Sequence, residues 1–187
     1  LNCSTMPFQP SKPKVRQTLA LVYDIETYTA TTSLTRQICG IPVKKELIPY
    51  AAGYMLVDLN TYIPLYETYR EVIISNPREN LFSLLFNKWD SDPNIPNNIQ
   101  VYAHNGNRFD NLFIKKCPTV KFIRQIGTNG KLKSLTVASP LSKPVKTYTF
   151  KDTFPFILQS LKQACKTFGT EHQKIDFDIV DWSFEKY

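Results

Sequence analysis

Apolar residues in this chain come in short runs with polar punctuation between them. Residues 19–24 (LALVYD) form an apolar run of strand length that ends on an acid. Residues 50–59 and 62–71, rich in Tyr, Val, Ile and Thr, predict a second and a third strand. Asn80 is placed to cap a helix reaching about Trp89, with Leu81, Leu84, Leu85 and Phe86 as its apolar stripe. Residues 91–98 (SDPNIPNN) read as a loop. Residues 99–104 then predict a strand, and a helix starts near Phe109 with Leu112 and Phe113 on its apolar side. Residues 120–126 and 132–137 predict two strands joined around Asn129-Gly130, a strong hairpin signal. Residues 145–150 predict one more strand. A helix over 157–168 carries Leu158, Leu161, Ala164, Cys165 and Phe168 at helical spacing, and Gly169 ends it. Strands alternating with helices define a layered α/β domain.

Composition narrows the class. At 187 residues the chain has room for one domain with a core, expected over 18–187 behind a basic, proline-bearing lead over 1–17. Hydrophobic residues make up 42% and charged residues 21%, the balance of an ordinary globular protein. No apolar run is long enough to span a membrane, and the first residues lack the apolar centre of a signal peptide, so neither secretion nor a membrane partner is expected. Cys3, Cys39, Cys117 and Cys165 are scattered, which excludes a zinc cluster and a disulfide scaffold. A net charge of +7 favours an anionic partner, nucleic acid being the common one.

Two segments carry candidate chemistry. Asp24 and Glu26 lie two apart at the end of the first strand, so their carboxylates share a face and repel unless a divalent cation sits between them. The same pair also suits a solvated strand end. The second segment runs from His104 and Asn105 to Phe109 and Asp110, leaving a strand and opening a helix. Ligand and catalytic groups gather at such strand ends in α/β sheets, although a plain turn with a helix-capping acid has the same letters.

Together the segments resemble a known family. Asp24-x-Glu26 is similar to the first motif of DnaQ-like 3′→5′ exonucleases, and Asn105-x3-Phe109-Asp110 is similar to the second motif of family B DNA polymerases. Thr27, the His104-Asn105 pair, Asp152-Thr153-Phe154 leading into Ser160-Leu161-Lys162, and Lys174-x2-Phe177 resemble the motifs of the protein-primed subgroup. The resemblance implies an α/β, ribonuclease H-like mixed sheet flanked by helices. It implies the proofreading exonuclease domain of a polymerase that replicates linear DNA of viruses, phages or mitochondrial plasmids.

It also implies roles. Two Mg²⁺ or Mn²⁺ ions would be held by Asp24, Glu26 and Asp110, and Lys174 would steady the attacked phosphate. Thr27, His104, Asn105, Phe109, Thr153 and Phe154 would contact a single-stranded DNA 3′ end. The implied partners are DNA, a terminal-protein primer and a polymerase domain that follows.

The family's third motif, Tyr-x3-Asp on a helix, is expected beyond Tyr187. Tyr148-x3-Asp152 has the letters, but it lies on a predicted strand, where residues four apart are ~13 Å apart rather than neighbours. A stand-alone DnaQ-like nuclease and a non-catalytic module binding single-stranded DNA or terminal protein are the alternatives.

Overall fold

A computed structural model describes residues 18–38, 41–65, 70–76, 79–128 and 132–170. Its centre is a mixed sheet in the order β3-β2-β1-β5-β8-β7-β6, with β4 also paired to β2. The strands are β1 (Leu19–Ile38), β2 (Ile41–Asp58), β3 (Ile63–Pro64), β4 (Arg70–Ile74), β5 (Asn98–Ala103), β6 (Lys121–Ile126), β7 (Ser134–Ser139) and β8 (Lys146–Asp152). Three of them, β1, β5 and β8, run parallel side by side, while the outer pairs are antiparallel.

The pleat sorts the residues of β1. Leu21, Tyr23 and Ile25 are buried on one face; Val22, Asp24 and Glu26 lie on the other. The buried face continues through Tyr54 and Leu56 of β2, Val101 of β5 and Tyr148 and Phe150 of β8. Helix α1 (Leu81–Ser91) covers it with Leu81, Phe82, Leu85, Phe86 and Trp89. Trp89 meets Tyr54, Phe86 and Tyr148 with ring centroids 5.8, 5.5 and 5.5 Å apart, within the range where aromatic pairs add to plain burial. Helix α2 (Asp110–Ile114) adds Ile114 to the same core. Helix α3 (Leu161–Phe168) buries Ala164.

Polar groups cap α1 at its start and tie its end to the sheet. Asn80 caps it, its side chain accepting from the Ser83 amide at 3.0 Å. At the other end the Lys146 ammonium donates to the carbonyls of Trp89 (3.0 Å) and Asp92 (2.6 Å), which the helix itself leaves unmatched. Asp90 accepts from the Tyr148 hydroxyl at 2.8 Å and from the Ser139 hydroxyl.

The predicted elements are present with three corrections. The third strand is not continuous: Ile63–Pro64 and Arg70–Ile74 are separate, and both pair with β2. The first strand does not stop at Asp24, because β2 carries it on as an antiparallel partner to Ile38. The last helix starts at Leu161, not at residue 157. Ser160 is its cap, accepting from the Gln163 amide, and Gly169 closes it at φ 62°. The expected stripe is consequently buried only at Ala164, with Leu158 75% and Phe168 67% exposed. Tyr148 and Asp152 do share a strand, as expected. Asn129 and Gly130, the predicted hairpin turn, lie outside the described residues, although β6 and β7 pair as that hairpin requires.

Burial pushes the phenols of Tyr23 and Tyr148 well above their ordinary value of 10.0, and those of Tyr50 and Tyr102 up as well. A raised folded-state value means stability that is complete below pH 10.0 and lost as pH climbs beyond it. Lys146 runs the other way: burial lowers its value, so deprotonation at high pH relieves a cost. With four phenols against one ammonium, the urea midpoint should hold up to about pH 10 and fall as pH rises beyond it, the window set by linkage. Tyr148→Phe should make that fall shallower. It should also lower the midpoint at neutral pH, by about 1–3 kcal/mol for the partner lost to Asp90.

Candidate active site at the parallel strand ends

The parallel trio brings three chain segments to one edge of the sheet. Val22 is level with Tyr102, and Tyr102 with Lys151. Just past that line β1 carries Asp24, β5 gives way to His104 and Asn105, and β8 ends at Asp152 before Thr153. Such carboxyl-terminal strand ends, free of further sheet pairing on one side, are where α/β folds place their reactive groups. A cleft of about 500 Å³ opens there, lined by Val22, Asp24, Met55, His104, Thr153 and Leu161 among others.

The segment after β5 is built to turn sharply and is held from several sides. Asn105 takes φ 62°, a left-handed conformation that Asn tolerates better than most residues. Gly106 follows, and a Cβ there would sit 2.6 Å from the Ala103 Cβ and 3.3 Å from Asn111 Nδ2. The Asn107 amide donates to Asp152 Oδ2 at 3.2 Å, and its side chain donates to the Lys133 carbonyl at 3.0 Å. Asp152 Oδ1 accepts from the Phe154 amide at 2.8 Å. One carboxylate therefore ties the segment after β5 to the segment after β8. Asn111 Nδ2 donates to Asn107 Oδ1 at 2.9 Å, and Asn111 Oδ1 accepts from the buried Tyr23 hydroxyl at 2.6 Å. That last bond joins β1 to α2.

The charges at this edge act on one another. Burial raises Tyr23, and the carboxylates of Asp110, Asp24 and Asp152, in that order, raise it further. Asp24, from the first motif, and Asp110, from the second, thus lie within electrostatic reach of one buried hydroxyl. Glu26 acts in the same sense on Tyr50, after burial. Asp110 is 3% exposed at the first position of α2, where an acid is favoured by the amide ends of the helix. Among the described residues, no three His, Cys, Asp or Glu side chains gather closely enough to form a metal-ligand cluster. The donors that do meet at the edge are oxygens, which suit hard divalent cations.

Each predicted contact residue has a definite place. Thr27 follows a register shift after Glu26, where Pro49 rather than Tyr50 becomes the partner in β2; such a bulge re-aims the side chains beyond it. His104 Nε2 lies 2.6 Å from the Gln159 carbonyl and so carries the proton, leaving Nδ1 to accept from the Thr153 hydroxyl at 3.0 Å in the neutral ring. His104 and Thr153 are thereby bonded to each other. Asn105 Oδ1 is buried with no hydrogen-bond partner among the described residues. Phe109 packs against the core and meets Phe113 edge-on, 5.4 Å between centroids. Phe154 lies beside His104, 5.6 Å between centroids. Lys174 is outside the described residues. Sequence reasoning missed the parts of Tyr23, Asn107, Asn111 and Asp152. Only Asp152 left a signal, as an acid ending a strand ahead of Thr153.

Residues 93–186, half of the chain, match the profile described as DNA polymerase type B, organellar and viral, and the chain belongs to that family. Among curated protein sequences none matches it.

Solved structures supply the nearer likeness. Phi29 DNA polymerase complexed with single-stranded DNA is similar at 15% identity and a TM-score of 0.55, over 87% of this chain and 25% of that one. The same polymerase in its ternary complex with primer-template DNA and incoming nucleotide is similar at 15% identity and a TM-score of 0.53, with the same coverage. The fold is accordingly the expected α/β, ribonuclease H-like one. The chain spans about a quarter of the length of those polymerases. No helix among the described residues is long and apolar enough to cross a membrane.

Gly106→Ala should force the turn after β5 to shift, since the obstructing atoms are the Ala103 Cβ and a hydrogen-bonded Asn111. The expected cost is about 1–3 kcal/mol in urea unfolding, as for overpacking in a core. An unchanged midpoint would mean that the turn yields freely.

Proposed function

We propose that this chain is the proofreading 3′→5′ exonuclease part of a protein-primed type B DNA polymerase, hydrolysing phosphodiesters at single-stranded 3′ ends. The observation that carries the reading is that Asp24 and Asp110, from separate motifs, are brought to one edge of the sheet: Asp24 lines the cleft there, and Asp110 opens the short helix that Asn111 bonds to Tyr23, the neighbour of Asp24. Family membership supports it, as does the likeness to a polymerase solved with single-stranded DNA.

Asp24, Glu26 and Asp110 would hold two Mg²⁺ or Mn²⁺ ions, whose chemistry is to lower the pKa of a bound water and neutralise charge on the phosphate. The chain's own residues do the positioning. Tyr23, kept protonated, holds Asn111 and with it the first turn of α2, so Asp110 cannot drift from β1. Asp110 stays close to the sheet because Gly106 lets the turn approach Ala103. The orphaned Oδ1 of Asn105 fits a hydroxyl donor such as that of a terminal sugar, since a buried acceptor without a partner is costly. Thr27, His104, Phe109, Thr153 and Phe154 line the way for the strand, with His104 and Thr153 shaping the wall through their mutual bond. Lys174 would face the attacked phosphate. A terminal-protein primer and a polymerase domain complete the partners, in a viral, phage or mitochondrial-plasmid replicon.

The test is a 3′-labelled single strand incubated with Mn²⁺ and the chain, alone and extended past Tyr187. Stepwise shortening is expected from the extended form, with much slower cutting by the chain alone, and in the extended form it should fall by about a thousand-fold in Asp24→Ala and in Asp110→Ala, the size of several kcal/mol of lost transition-state stabilisation. Cutting that survives Asp24→Ala would sink the reading. Strand binding with no cutting by either form would favour a non-catalytic single-strand module.

A further inference from the structure

The segment between Asn105 and Asp110 holds one cation, Arg108, which neither the motif comparison nor the proposed mechanism uses. It is exposed, and its guanidinium carbon lies 5.5 Å from the centre of the Phe154 ring. Phe154 is not free to follow it. Its amide is bonded to Asp152, and its ring rests beside His104, whose two nitrogens are taken up by Thr153 and Gln159. A guanidinium over a fixed aromatic ring gains cation–π attraction and loses rotamer freedom before any ligand arrives. The edge donors of such a guanidinium suit two oxygens of one phosphate.

Resting on the exonuclease reading, we propose that Arg108, braced by Phe154, takes a backbone phosphate of the single strand, and that Phe154 acts through Arg108 rather than as a base-stacking surface. The position fits. Arg108 sits two residues before Asp110 and three after Asn105, so a strand whose end reached those residues would pass it. A net charge of +7 gives the strand's approach the right sign.

The experiment measures binding of a 5′-fluorescein oligo-dT to the chain by anisotropy across a salt series, without divalent metal. Arg108→Ala should weaken binding about ten-fold at low salt and flatten the plot of log affinity against log salt by about 0.7, the loss of one phosphate contact on a single strand. Arg108→Lys should keep the slope. Phe154→Ala should weaken binding in the wild-type background and have no further effect in Arg108→Ala, because one residue acts through the other. Far-UV circular dichroism checks that each variant is folded.

An unchanged slope in Arg108→Ala with wild-type binding intact would overturn this assignment alone. So would a Phe154→Ala loss that persists in full without Arg108, which would mean direct stacking. A wild-type chain that does not bind oligo-dT at all would overturn the exonuclease reading and this assignment together.

Discussion

The bond from the Tyr23 hydroxyl to Asn111 Oδ1 fixes the distance between the strand that bears Asp24 and the helix that bears Asp110. Both partners are fully enclosed, so neither has water as an alternative. Breaking the bond would leave a phenol and an amide unsatisfied in the core. The helix involved spans only Asp110–Ile114, too short to be stable by itself. Its position is therefore set by what it is bonded to, and Tyr23 is the anchor. The surrounding carboxylates strengthen the anchor, because they disfavour ionisation of the phenol and keep its proton available for the bond.

A second constraint follows from the direction of the strands. Because β1, β5 and β8 are parallel neighbours, β5 and β8 end at one edge, beside the point where β1 runs on past Asp24 with β2 as its partner. The residues after β5 and β8 must turn, and turning backbone needs partners for its amides. Asp152 provides two at once, for Asn107 and Phe154, and His104 bonds across to Thr153 and Gln159. The segment from His104 and the segment from Asp152 are thus one structural unit, cross-linked by side chains, although about fifty residues lie between them along the chain.

Much of this was legible beforehand. The alternation in residues 19–26 placed Asp24 and Glu26 on the face away from the core, and the apolar pattern around Trp89 marked α1 together with its Asn80 cap. Helix starts were harder where local signals compete. Leu158 lies at helical spacing from Leu161, yet Ser160 offers its side chain to the Gln163 amide and so begins the helix at Leu161, three residues later than Leu158. The region 62–71 read as one strand because its residues favour strands singly, whereas among the described residues Ile63–Pro64 and Arg70–Ile74 pair with β2 as separate strands. Nothing local could have linked Tyr23 to Asn111 or Asp152 to Asn107. Those bonds join residues 88 and 45 positions apart, and only the parallel crossover topology brings them together.

The turn after β5 shows how such a site can hold an unfavourable arrangement. Asn105 has a left-handed backbone, its side-chain carbonyl oxygen is enclosed with no hydrogen-bond partner among the described residues, and the carboxylate of Asp110 is buried. Each of these costs free energy in a segment that a packing argument alone would have filled with apolar residues. They persist because Gly106 permits close approach and Asn107, Asn111 and Asp152 hold the turn from several sides. A natural reading of unrelieved costs gathered at one strand edge is that a ligand relieves them. An enclosed acceptor wants a hydroxyl or amide, and a carboxylate beside an open cleft favours a cation. A nucleic acid 3′ end carried in with divalent ions answers both at once, which a structural role for the turn does not.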